Sequence, residues 1–118
     1  ANFITEIILE KDSLINALKL AGIFSSRVND VHLKINDDQK AIEIHSSNSQ
    51  LGENKYLLPV KSNKSMPGIV FNWRYFIDGL RIMNGKDVFM GVNEEDRPVL
   101  LRPLNDQSLI YLLMPIRM

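Results

Sequence analysis

Few side chains in this chain could do chemistry, and they are poorly grouped. His32 and His45 fall on the polar faces of two neighbouring alternating segments. A zinc site would want a third ligand at matched spacing, and none can be nominated, so solvent-facing histidines are the better reading. Glu94, Glu95 and Asp96 have the composition of a paired-carboxylate site. They fall between two strand-like runs, however, where such residues make a solvated turn. There is no phosphate loop of the form G-x-x-x-x-G-K-[ST], no G-x-S-x-G elbow and no G-x-G-x-x-G. With no cysteine, a thiolate nucleophile, a thiolate metal site and a disulfide scaffold are all excluded, which fits a reducing cytosol. An enzyme reading has no residues to stand on: no catalytic residue, no cofactor and no metal are expected.

Two polar stripes are more suggestive. Leu14, Ala17, Leu18, Ala21 and Phe24 recur at helical spacing and predict a helix over 12–24, with Asp12, Asn16 and Lys19 on its other face. Asn72 is a good N-cap for a second helix. Trp73, Phe76, Ile77, Leu80 and Met83 form its core face, Arg74, Asp78 and Arg81 lie opposite, and Asn84-Gly85 stops it. Any helix packed on a sheet needs a solvated face. A pair of parallel polar faces, modestly basic and mixed in sign, would also slide over a phosphate backbone without gripping it.

Around these helices the chain reads as short strands. An apolar run over 6–10 precedes the first helix. Val31, Leu33 and Ile35 alternate with His32 and Lys34, residues 36–39 turn the chain, and Ile42 and Ile44 alternate with Glu43 and His45. Residues 46–54 read as polar loop, 55–60 as a strand and 61–65 as a mobile polar connection. The second half gives strands over 67–71, 87–92, 98–102 and 109–116, with a turn at 93–96.

The second half thus repeats the first. Tyr56-Leu57-Leu58-Pro59-Val60-Lys61 returns as Tyr111-Leu112-Leu113-Met114-Pro115-Ile116-Arg117. Ile15-Asn16-Ala17-Leu18-Lys19 returns as Ile77-Asp78-Gly79-Leu80-Arg81, and Asp30-Val31-His32-Leu33 as Asp87-Val88-Phe89-Met90. A solenoid needs at least three copies to cover its core, so two β-α-β-β-β units, about 5–61 and 66–118, are expected to fold against each other as one α+β domain over 1–118. Two helices would pack on one side of antiparallel sheets. A length of 118 residues is enough for a real core, and no apolar run approaches the roughly 20 residues that span a bilayer. Lysines and arginines balance aspartates and glutamates at 14 each, so the strongly basic footprint of a free-standing nucleic-acid binder is missing. The opening Ala1-Asn2-Phe3-Ile4-Thr5 reads like a linker cut open, and a longer parent chain is expected.

The tail Tyr111-Leu112-Leu113-Met114-Pro115-Ile116-Arg117-Met118, the segment Phe71-Asn72-Trp73-Arg74-Tyr75-Phe76-Ile77-Asp78-Gly79-Leu80, and Leu14-Ile15-Asn16-Ala17-Leu18-Lys19 with Ile23-Phe24-Ser25-Ser26 together resemble the third domain of the bacterial DNA polymerase III beta subunit, the sliding clamp. The closing Met-Pro-x-Arg-Met and the Phe-Asn-x-x-Tyr opening the second helix are specific in combination, and the resemblance covers essentially the whole chain.

The resemblance implies a non-catalytic processivity factor of the bacterial cytoplasm. In it a head-to-tail homodimer of three-domain subunits encircles duplex DNA, helices lining the hole, with weak direct contact. Helix phase nominates Lys19, Arg74 and Arg81 as DNA-facing. The family also docks DNA polymerase and clamp-loader subunits through short peptides with leucine and phenylalanine anchors. Matched residue by residue, that pocket takes in Val28, Asn72, Tyr75, Pro98, Leu112, Leu113, Met114, Pro115, Ile116, Arg117 and Met118. Methionine is deformable, which suits a surface serving several partners, and strand alternation turns at least one of Leu112 and Leu113 into the core. Val28 stands where a larger apolar residue can occur, Asp96 is left outside the site, and the second-domain wall is absent, so weak peptide binding is expected. Ile23 and Phe24 match the apolar pair that meets the other subunit; unpartnered, they form an exposed patch, and ring closure by this chain alone is not expected. Two other readings are a clamp-derived peptide-binding or regulatory module that never encircles DNA, and, far below it, an enzyme that borrowed the fold.

Overall fold

The computed structural model describes residues 3–94 and 96–117; Glu95 and Met118, both singled out above, lie outside the described residues. In chain order the elements are β1 (Thr5–Glu10), α1 (Lys11–Ile23), β2 (Asp30–Ile35), β3 (Ala41–Asn48), β4 (Gly52–Pro59), β5 (Lys61–Ser62), β6 (Met66–Asn72), α2 (Trp73–Arg81), β7 (Asp87–Val92), β8 (Val99–Pro103) and β9 (Tyr111–Leu113). The fold is α+β and, among the described residues, has two helices and two antiparallel sheets ordered β5-β1-β7-β8-β9 and β4-β3-β2-β6. No helix among the described residues is long and apolar enough to cross a membrane.

The repeat is visible in space, with one exchange that sequence patterning does not reveal. β1 pairs along its whole length with β7, from Thr5↔Val92 to Glu10↔Asp87, while β6 pairs with β2, from Asp30↔Asn72 to Ile35↔Met66. Each half therefore lends its first strand to the other half's sheet. In each half the first strand runs directly into its helix, β1 into α1 and β6 into α2, with no intervening residue. Side chains alternate along β2 and β3, and Val31, Leu33, Ile35, Ile42 and Ile44 point inward. They meet Leu14 and Leu18 of α1, Phe76 and Leu80 of α2, and Val88, Met90 and Leu101 of the other sheet in one continuous core. Phe71 and Phe76 meet edge to face at 5.5 Å.

Two loop expectations fail. Residues 46–54 are mostly strand: Ser46, Ser47 and Asn48 pair with Asn54, Glu53 and Gly52. Ser46 is fully buried because its hydroxyl donates to the Ala21 carbonyl at 2.7 Å, satisfying it at the C-terminal end of α1. The Asn48 side chain accepts from the Gln50 and Leu51 N–H groups and so tightens the turn. The connection over 61–65 is likewise tied down. Lys61 and Ser62 form β5 against Ile8 and Ile7, and the Glu6 N–H donates to the Asn63 side chain at 2.7 Å. The last strand is shorter than expected, ending at Leu113.

Candidate functional site

The two helices run antiparallel. The end of α1 meets the start of α2, where a Cβ at Gly22 would lie 2.4 Å from the Trp73 ring; at the opposite ends, Lys11 Nζ donates to the Met83 carbonyl at 2.9 Å. α2 starts where sequence reading put it, since the Asn72 side chain accepts from the Arg74 and Tyr75 N–H groups. Trp73 fastens the helix pair: its indole N–H donates to Ser25 Oγ at 3.1 Å, and the Arg74 guanidinium lies 5.1 Å over its ring. Lys19, Arg74 and Arg81 are exposed on this face, accompanied by Asp12 and Asp78. Lys19 reaches across from α1 to line a shallow cleft of about 460 Å³ with Trp73, Arg74, Tyr75, Ile77, Asp78 and Arg81. The three nominated cations therefore share one surface, partly neutralised by carboxylates.

The eleven residues matched to the peptide pocket are distributed more widely. Pro115, Ile116 and Arg117 line a cleft of about 370 Å³ with Gly68, Ile69, Val70 and Asp96. The tail is held there because the Ile116 N–H donates to the Val70 carbonyl at 2.8 Å, occupying the outer edge of β6. Sequence reading missed Gly68, Ile69 and Val70, and it left out Asp96, whose carboxylate stands 3.9 Å from the Arg117 guanidinium. No periodicity singles out the edge strand that a tail will cover. Leu112 and Met114 are exposed at 61% and 58%, whereas Leu113 is only 3% exposed and belongs to the core. Val28 is half exposed in the loop before β2, whose Asn29 carbonyl accepts from the Trp73 N–H. Pro98 is exposed just ahead of β8, and Asn72 is engaged in capping. Tyr75 lines the helix cleft rather than the tail cleft.

Tyr111 joins the two regions. Its hydroxyl donates to the Tyr75 carbonyl at 3.0 Å, and its ring packs against α2 at Gly79, where a Cβ would stand 2.4 Å from it. Burial, then the nearby Asp78 carboxylate and Tyr75, push the Tyr111 hydroxyl above its ordinary value. Near the start of α2, burial pushes the Asp30 carboxyl up, but hydrogen bonds from the Ser26 hydroxyl and N–H, with its own N–H and His32, outweigh this and hold it below the usual range.

Ile23 is 61% exposed at the end of α1 and Phe24 is half-buried beside it. His32 and His45 face each other across β2 and β3 on the outer surface, and among the described residues no three His, Cys, Asp or Glu side chains converge as a metal site.

These features define a duplicated clamp-type domain, with a paired helix face on one side and a tail-covered sheet edge at one end. The family described as DNA polymerase III beta subunit, C-terminal domain, matches residues 1–117, and the chain belongs to that family. It is 25% identical over 117 residues to the Beta sliding clamp of Synechocystis, covering 98% of this chain and 30% of that protein. The structure superposes on the DNA polymerase III beta subunit of Thermotoga maritima with a TM-score of 0.92 at 22% identity, covering 99% of this chain and 32% of that one. For the beta subunit of Streptococcus pyogenes the TM-score is 0.91 at 26% identity, covering 100% and 32%. The chain thus spans about a third of the length of the relatives it matches.

Proposed function

We propose that this chain serves as the third domain of a sliding-clamp subunit, a non-catalytic processivity factor acting on duplex DNA in the bacterial cytoplasm. The observation that carries the reading is the helix pair, whose antiparallel faces gather Lys19, Arg74 and Arg81 around one shallow cleft while both sheets stand behind. Interspersed Asp12 and Asp78 keep that face from gripping phosphate, which suits a protein retained on DNA by encirclement. In the parent subunit, Ile23 and Phe24 supply the apolar contact of a head-to-tail homodimer.

The tail provides the second activity, docking of polymerase and clamp-loader subunits through leucine- and phenylalanine-anchored peptides. Leu112, Met114 and Tyr75 are the exposed apolar contacts, with Pro115, Ile116 and Arg117 as the wall of the adjoining cleft. Leu113 supports the strand from inside.

The test of encirclement uses the three-domain subunit loaded on nicked circular DNA. Retention should survive high salt and end when the circle is linearised. Loss in salt at equal rates from circular and linear DNA would instead establish direct binding, as expected of a regulatory module that does not encircle. For docking, NMR titration of the chain with a short leucine- and phenylalanine-anchored peptide should move the Met114 methyl and Tyr75 ring signals together. Unmoved signals at millimolar peptide, both in the chain and in the three-domain subunit, would remove the docking role.

A further inference from the structure

The Asn84-Gly85 pair that stops α2 can also react with itself. Asn84 is the one asparagine of the chain that precedes a glycine. Both residues are exposed, between the end of α2 and the start of β7. Their neighbours are pinned to one residue: Lys11 Nζ donates to the Met83 carbonyl at 2.9 Å, and the Lys11 N–H donates to the Lys86 carbonyl at 2.9 Å. Between those two points, and among the described residues, neither the Asn84 side chain nor the Gly85 N–H takes part in a hydrogen bond. Gly85 has a φ of 95°, and a Cβ built there would meet nothing within 4 Å. Its nitrogen is therefore neither engaged by an acceptor nor shielded by a side chain of its own. Asn48, which precedes Ser49, is the opposite case. Its side-chain oxygen accepts from the Gln50 and Leu51 N–H groups, and its amide donates to the Ser25 carbonyl at 3.2 Å.

We infer that Asn84 is a modification site, at which the folded chain deamidates spontaneously and forms isoaspartate. The Gly85 nitrogen, after giving its proton to hydroxide, attacks Asn84 Cγ. An N–Cγ bond forms, the Cγ–Nδ2 bond breaks, and ammonia leaves with a proton from water, which closes a five-membered succinimide. A second water opens the ring. Attack at Cγ breaks the new bond and gives aspartate; attack at the main-chain carbonyl carbon breaks the original peptide bond and gives isoaspartate, with the chain running through the former side chain. The sum is one water consumed and one ammonia released, with no oxidant or reductant. Either product adds a negative charge just beyond the C-terminal end of α2, where the helix dipole already presents its negative pole. Isoaspartate also adds a methylene to the backbone between the two carbonyls tied to Lys11. The inference is independent of the clamp reading.

The test is to age the purified chain in neutral and in mildly alkaline buffer, folded and in urea, and to map the modified positions by peptide mass spectrometry. In the folded chain Asn84 should gain one mass unit ahead of every other asparagine, at a rate that rises in proportion to hydroxide, while Asn48 stays intact. In urea both should react. Isoaspartate is counted separately, by methyl transfer from S-adenosylmethionine with a protein isoaspartate methyltransferase. Asn84→Gln should abolish that signal, because the longer side chain would have to close a slower six-membered ring. Asn84 left intact in the folded chain over a time that converts it in urea would show that the fold protects it and would overturn the proposal. So would conversion of Asn48 before Asn84, a rate indifferent to pH, or an isoaspartate signal that survives in Asn84→Gln. The wild-type measurements decide the matter even if the variant does not fold.

Discussion

Gly79→Ala sets two well-known effects against each other at one position. Gly79 lies inside α2, where alanine is intrinsically better than glycine by about 1 kcal/mol. The repeat carries Ala17 at the equivalent place in α1, where the methyl is buried without difficulty. In α2, however, the new Cβ would lie 2.4 Å from Tyr111 Cδ2, 2.5 Å from Cε2 and 2.9 Å from Cγ. Turning the ring about its own axis moves the first two atoms but leaves Cγ where it is. Relief therefore requires rotating the whole side chain, which breaks the hydrogen bond from Tyr111 to the Tyr75 carbonyl, worth about 0.5–1.5 kcal/mol. Overpacking of this kind costs about 1–3 kcal/mol. Taken at mid-range, overpacking and the lost hydrogen bond less the propensity gain leave a net destabilisation of about 2 kcal/mol, or roughly 8 °C in Tm for a domain of this size. Urea denaturation of wild type, Gly79→Ala, Tyr111→Ala and the double variant measures it. In the Tyr111→Ala background the same glycine substitution should change sign and stabilise by up to about 1 kcal/mol. A Gly79→Ala protein as stable as wild type, or equal effects in the two backgrounds, would refute the packing argument.

Other expectations can be checked on the same chain. Asn72→Ala removes the acceptor for the Arg74 and Tyr75 N–H groups and should cost about 1 kcal/mol in denaturant unfolding. The Asp30 carboxyl is held below its ordinary value, so its contribution to stability is present above about pH 3.8 and fades as pH falls through the lower folded value. Asp30→Asn should accordingly flatten the wild-type loss of stability below pH 4. Tyr111 is raised above 10.0 in the fold, so stability is full below that pH and declines above it as the unfolded chain ionises; Tyr111→Phe should remove this alkaline component. Ser46→Ala deletes a buried hydroxyl from the Ala21 carbonyl, which still receives the Phe24 N–H. It should lower stability by only about 0.5–1.5 kcal/mol, measured by the same unfolding curves.

The elements were legible wherever one residue or one period decides them. Asn72 announces the start of α2, and alternation around Leu33 and Ile44 gives β2 and β3 with the correct inward face. Helix phase likewise put Lys19, Arg74 and Arg81 on one exposed surface. Contacts set by distant partners were not legible. Ser46 reads as a loop residue until the Ala21 carbonyl is known to stand beside it, and Lys61–Ser62 reads as linker until β1 offers an edge. The cleft under the tail depends on Val70, an ordinary strand valine whose carbonyl is claimed by Ile116 from the far end of the chain. Leu113 and Leu112 differ only in parity, which settles that one is buried without saying which.

The exchange of first strands governs how the chain comes to be folded as it is made. β1 emerges early during synthesis and has the short β5 on one edge, but its full-length partner β7 appears only later, and the β2–β3 hairpin waits for β6 to cover its other side. Contacts of such long sequence separation are slow to form. The nascent first half must therefore hold β1 with one edge unpaired until late in translation, an edge that invites pairing with another copy. A polypeptide of half this length could pair the free edge of its β1 and the outer edge of its β2 only by trading β1 with a second molecule. The present arrangement is that trade carried out within one chain.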